Sequence, residues 1–214
     1  MRIKAAALST VTAAIIGISG TAHAVTVQKA TFKNTQVSLF SFIETSVTCA
    51  DTSQGTATAF VFVSGGSFVN PFGSGTGTLL NVFSFSNSCT GDSFGEANGF
   101  IQGGITGPNQ TLTSARLTGT TTGQVFDPPD RMVSLGLNLT FTGDGDLSVS
   151  RDTTETKTVT GPGGPFTITI QRGAFRNRSA NVAGTITIEG VVFPVETFGA
   201  TLLDNKSSTI TVTK

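Results

Sequence analysis

The sequence predicts an all-β protein: an antiparallel β-sandwich of about ten or more short strands forming a single domain. Three observations predict it. Apolar residues recur with a period of two rather than 3.6. Gly-, Pro- and Asn-rich punctuation separates the alternating runs. No stretch beyond the first 24 residues has the spacing of an amphipathic helix. Two antiparallel sheets packed face to face are the simplest way for such strands to share one core.

Residues 1–24 read as a secretory signal peptide. Arg2 and Lys4 supply a positive start, Ala5 to Gly20 an uncharged apolar run, and Ala22-His23-Ala24 the small-x-small pattern that signal peptidase needs. Cleavage leaves Val25 at the N-terminus and 25–214 as the domain. An uncleaved anchor is disfavoured because the run falls short of the ~20 apolar residues that span a bilayer. The expected location is secreted or periplasmic, with no membrane insertion after cleavage.

The strands follow in order. Val37, Leu39, Phe40, Phe42 and Ile43 begin the first, Ala57 to Val63 form the second and Leu80 to Ser86 the third. Further candidates are Ala97 to Ile105, Leu112 to Thr122, Met132 to Thr142, Leu147 to Ser150, Phe166 to Arg172, Ala180 to Glu189, Val191 to Val195 and Ser208 to Thr213. Gly190 reads as a tight hairpin or a bulge. The chain has no Trp or Tyr, so Phe, Val, Ile and Leu are expected to fill the core while Thr and Ser cover the opposite faces. Ser114 to Thr122 and Ser179 to Thr187 share the pattern Ser-Ala-x-aliphatic-x-Gly-Thr-x-Thr, which is either a duplication or chance in a Thr-rich chain.

Composition excludes more than it assigns. The single histidine, His23, falls in the leader, so Ser-His-Asp and Cys-His relays and histidine-ligated metals are closed to the mature chain. Loss of Arg2 and Lys4 leaves 11 basic and 13 acidic residues, a net charge of −2, which argues against nucleic-acid binding. Cys49 and Cys89, an even pair in an exported chain, are expected to form a disulfide closing a loop that contributes roughly 4 kcal/mol. A catalytic thiol lacks its base. No cofactor is expected.

Four features carry candidate chemistry. Gly143-Asp144-Gly145-Asp146 places Asp144 and Asp146 two residues apart, the beginning of a calcium site, or else a Gly-rich turn between Phe141 and Leu147. Arg172, Arg176 and Arg178 share one face of an extended segment, where they form either a stripe for an anionic polymer or a solvated strand protected against aggregation. Glu44, Glu96, Asp127, Asp130, Glu189 and Glu196 are the pool from which a glycoside-hydrolase pair would be drawn. Asp127-Pro128-Pro129-Asp130-Arg131 reads as a rigid turn with Asp130 and Arg131 solvated.

Several blocks, namely Ala57 to Ser64, Val82 to Gly91, Leu112 to Leu117 and Leu139 to Leu147, resemble an uncharacterised family of secreted, β-rich, mostly bacterial proteins with no established activity. The resemblance therefore implies no functional residues. Relatives carry Trp-Thr-Gly-Thr-Gly where this chain has Phe141-Thr142-Gly143-Asp144-Gly145, which weakens the calcium reading. The leading functional expectation is a non-enzymatic binding or surface-associated module that contacts an extracellular polymer or a protein. The alternatives are a carboxylate-based polysaccharide hydrolase and a structural or ice-contacting Thr-rich protein. Thr167-Ile168-Thr169, Thr185-Ile186-Thr187 and Thr209-Ile210-Thr211 hint at the last of these.

Overall fold

Alternation sets the inner face of every long strand. The computed structural model describes residues 26–70, 73–109, 111–126, 131–151, 154–161, 164–171 and 173–213; the leader, Asp127 to Asp130 and Arg172 lie outside the described residues. In β1 (Thr26–Thr48) Val37, Leu39 and Ile43 are buried; β2 (Gln54–Asn70) buries Ala57, Ala59, Val61 and Val63; β3 (Gly73–Asn87) buries Leu80, Val82 and Phe85. After β4 (Asp92–Phe94), β5 (Ala97–Gln102) and β6 (Ile105–Thr106), the pattern resumes in β7 (Ser114–Val125) and β8 (Met132–Arg151). Then come β9 (Glu155–Gly161), β10 (Gly164–Ile170), β11 (Ala174–Ile188) and β12 (Val191–Thr213). The described residues contain no helix.

Several strands expected to be short are long. β1 and β12 each run for 23 residues, because the Thr and Ser between apolar runs are themselves compatible with an extended backbone. Val191 to Val195 and Ser208 to Thr213 belong to one strand, β12, and Met132 to Thr142 and Leu147 to Ser150 to another, β8. In the opposite sense, Ala97 to Ile105 is broken by Gly103 and Gly104, both at positive φ, into β5 and β6. At the hairpin between β11 and β12, Ile188 pairs with Val191 across Glu189 (φ 51°) and Gly190 (φ 79°), so the expected tight turn is a two-residue one with both residues left-handed.

All the strands join in one antiparallel sheet. Its main path runs β1-β2-β3-β5-β7-β8-β11-β12, and β12 then pairs back onto β1, with Val37 opposite Leu202. β10 and β9 extend from β12. Opposite walls of this sheet bury their inward side chains against one another, an arrangement compatible with face-to-face packing. Phe85 of β3 meets Phe193 of β12 at 6.3 Å between ring centroids, and Leu117 of β7 lies over Gly65 of β2. Leu135, Leu139, Phe141, Ile186, Ile188 and Leu202 fill the space between.

The two halves of the sequence echo flank the same strand. β7 and β11 both pair with β8, and in each the Ala and the aliphatic residue point inward: Ala115 and Leu117 in one, Ala180 and Val182 in the other. Gly119 (φ 148°) and Gly184 (φ 143°) occupy matching positions. A Cβ at the first would strike Ile101, and at the second the Asn138 carbonyl, so a shared steric demand accounts for both glycines.

Candidate functional site

The outer faces of the two walls differ in kind. On β1 the inward set Val37, Leu39 and Ile43 forces Phe40 and Phe42 outward, where they are 59% and 61% exposed. On β2 the inward Val61 and Val63 leave Phe60 and Phe62 outside, directly opposite Phe42 and Phe40 in register. Phe83 sits at a register shift of β3 and completes the cluster. Ring centroids lie 4.6 Å apart for Phe40 and Phe60, 5.8 Å for Phe40 and Phe83, and 5.7 Å for Phe60 and Phe83. Phe, Val, Ile and Leu do fill the core, joined by Ala, but the expectation that Thr and Ser cover the opposite faces is corrected on this wall. Phe85, Phe94, Phe141 and Phe193 are buried, while Phe32, Phe40, Phe42, Phe60, Phe62, Phe68 and Phe83 stand on the outside of β1, β2 and β3.

Next to this cluster the same wall carries a groove of about 400 Å³. Its floor follows from glycine. Phe68 pairs with Gly75, and a Cβ on Gly75 would come within 2.7 Å of the Phe68 ring. Phe100 likewise lies over Gly77, where any side chain would collide with it. Each ring therefore reclines over a bare stretch of β3, an aromatic covering of exposed glycine backbone. Phe68 and Phe100 nonetheless remain 49% and 60% exposed. Between them runs the register row Gln36, Gly66, Gly77, Gln102, with an amide at either end. Gln36 Nε2 donates to Ser64 Oγ at 3.0 Å. Among the described residues, no ionisable side chain lines this groove.

The opposite wall is hydroxylic at its centre. Thr118 and Thr120 of β7 and Thr185 and Thr187 of β11 flank Asn138 and Gly136 of β8, over a shallow depression of about 250 Å³. This is where the Thr185-Ile186-Thr187 motif lies. Thr167 and Thr169 of β10 stand in register with Thr213 and Thr211 of β12.

Arg176 and Arg178 do share a face, as alternation requires, and it is the face that Ala180 and Val182 turn toward the core. Arg176 Nη1 lies 3.8 Å from Oδ2 of Asp204, which is 1% exposed and has no hydrogen-bond partner for either oxygen among the described residues. Asp204 is in register with Thr35, whose hydroxyl is 2.5 Å from that of Ser67. These residues form a polar layer beyond one end of the apolar core. Arg178 Nε donates to the Gly145 carbonyl at 3.1 Å. Arg172, the third member of the expected stripe, lies outside the described residues.

The expected turn at Gly143 to Asp146 is instead part of β8. Register with β11 shifts there, so that Ser179 faces Asp144 and Asn177 faces Ser148; Gly145 (φ 68°) absorbs the extra residues as a bulge. Asp144 Oδ1 accepts from the Gly145 amide at 2.9 Å, and both Asp144 and Asp146 are exposed. Among the described residues, no three Asp, Glu, Cys or His side chains gather as a metal site.

Comparison with protein-family models, curated proteins and solved structures finds no match.

A clamp that the sequence did not reveal lies toward the other end of the sheet. Arg131, expected to be solvated, donates to both carboxylate oxygens of Asp92 at 2.6 Å each, stands over the Phe94 ring at 5.4 Å and has Glu189 Oε2 at 3.7 Å. Hydrogen bonding from Arg131 holds the Asp92 carboxyl below its ordinary range, and the same bond raises Arg131. Glu189 also accepts from the Ser134 amide, which helps to hold this non-glycine residue in its left-handed turn. Close by, Cys49 and Cys89 form the expected disulfide, linking the loop after β1 to the turn after β3. Of the remaining acids, Glu44 is in register with Thr58 and Glu196 with Ala183, and Glu96 precedes β5. Asp127 and Asp130 lie outside the described residues. Among the described residues, no carboxylate lines either groove.

Proposed function

We propose that the protein is an exported, non-enzymatic binding module whose contact surface is the aromatic outer wall of β1, β2, β3 and β5. The observation that carries this reading is the concentration of exposed rings on one wall: Phe32, Phe40, Phe42, Phe68 and Phe100 stand outside there, whereas the β7, β8 and β11 side presents Thr and Asn at its centre and exposed rings only at its margins, Phe126 just after β7 and Phe175 at the start of β11. Contiguous apolar patches are uncommon on proteins that touch only water and mark surfaces that another molecule covers. The disulfide is compatible with export to an oxidising compartment. This reading moves the contact from the Arg172, Arg176 and Arg178 stripe to the opposite side of the alternation.

The test is retention of the purified protein on cellulose, chitin, peptidoglycan, an anionic polysaccharide and immobilised extracellular proteins, at low and high salt. Retention that persists in high salt and is lost in a Phe40→Ser/Phe42→Ser/Phe100→Ser variant supports the aromatic wall. Retention lost in salt and unaffected by that variant returns the contact to charge and removes the proposal.

A further inference from the structure

Resting on the aromatic-wall reading, we infer that the groove of Phe68 and Phe100 is a subsite for a neutral polysaccharide chain. Its lining supplies what such a chain offers and little that suits other polymers. The reclining rings of Phe68 and Phe100 rest on Gly75 and Gly77, two residues apart on β3 and hence about 7 Å apart. They form adjacent apolar platforms for the C–H faces of sugar rings. Around them stand Asn34, Gln36, Ser64 and Gln102, and these amides and hydroxyls both donate and accept hydrogen bonds, as sugar hydroxyls do.

The described lining holds no ionisable group, which separates a neutral glycan from an anionic one, since the latter calls for Arg or Lys. A peptide strand is disfavoured for a different reason. β3 is hydrogen-bonded to β2 on one side, with Gly75 opposite Phe68, and to β5 on the other, with Gly77 opposite Gln102. The floor thus offers no free backbone edge for strand addition. The row from Gln36 to Gln102 crosses four strands, about 14 Å, and sets an amide on either side of the two platforms.

The experiment is affinity electrophoresis of the purified protein through gels containing hydroxyethylcellulose, a soluble β-1,3-glucan, xylan, mannan or alginate, with and without ~0.5 M NaCl. The expected result is retardation by at least one neutral glycan, unchanged by salt. It should weaken at least tenfold in Phe68→Ala/Phe100→Ala and severalfold in Gln36→Ala or Gln102→Ala. The amide variants keep the aromatic covering intact, so they answer the question even if the double variant folds poorly. Retardation by alginate alone overturns the inference, as does neutral-glycan binding that survives both kinds of variant. Capture of a protein that depends on Phe40 and Phe42 but not on Phe68 and Phe100 also overturns it, while leaving the aromatic wall as the contact surface.

Discussion

Phe100 occupies the space that a side chain at Gly77 would fill, so an exposed ring and a bare backbone depend on each other across the β3 and β5 pairing. That relationship makes Gly77 a test of the platform. Gly77→Ala should swing Phe100 off the sheet into solvent, changing stability by no more than about 1 kcal/mol because the face is open. Glycan retardation should fall as far as in Phe100→Ala. Thermal unfolding and affinity electrophoresis, measured side by side, check it.

Asp92 and Arg131 predict a pH dependence. The folded-state pKa of Asp92 is depressed, so the pair's contribution is complete above the ordinary carboxylate value near 3.8 and is lost as the pH falls through the lower folded value. Asp51 is also held below its ordinary value, by the Ser53 hydroxyl and amide. The difference between wild type and Asp92→Asn therefore isolates the pair. Asp92→Asn should cost roughly 1 kcal/mol at pH 7, allowing for solvent screening, and the difference should shrink as the pH falls below the ordinary carboxylate value. Urea unfolding across pH measures it.

Arg176 is predicted to be structural. Arg176→Ala removes the cation beside a carboxylate that is almost fully buried, and should destabilise by about 3–5 kcal/mol. Replacing both partners, Arg176→Met with Asp204→Leu, should recover most of that loss, because the buried charge disappears with its counter-ion. Denaturant midpoints of the single and double variants, together with unchanged polymer retention in the double variant, check the assignment.

Reduction of Cys49–Cys89, or Cys49→Ala/Cys89→Ala, should lower stability by about 2–4 kcal/mol. The bridge joins loops 40 residues apart in the chain. Unfolding of the intact protein with and without reductant measures this directly.

The sequence showed the strands better than their sides. Alternation in Ala57 to Val63, Leu80 to Ser86 and Ala180 to Glu189 marks real strands, and Glu189-Gly190 marks a real hairpin, because these signals are local. In β1 and β2, however, Val and Leu alternate with Phe, so both faces are apolar and the period alone does not say which one is inside. Closure of the sheet decides it: the interior takes Val, Ala and Leu, and the bulkier rings go outside. The Arg176 and Arg178 placement was legible in part, since counting back by twos from Val182 and Ala180 reaches both arginines. The Arg131 and Asp92 clamp joins residues 39 apart, and the Phe100 and Gly77 contact requires strand register, so neither had a local signature.

The aromatic wall, rather than the hydroxylic one, is the proposed contact surface. The most direct test compares polymer retention of wild type, an aromatic-wall variant (Phe40→Ser/Phe42→Ser/Phe100→Ser) and a hydroxyl-wall variant (Thr118→Ala/Thr120→Ala/Thr185→Ala/Thr187→Ala), each first shown to be folded by circular dichroism. Loss of retention in the aromatic-wall variant and wild-type retention in the other is the expected result. Retention kept by the aromatic-wall variant and lost by the hydroxyl-wall variant would contradict it.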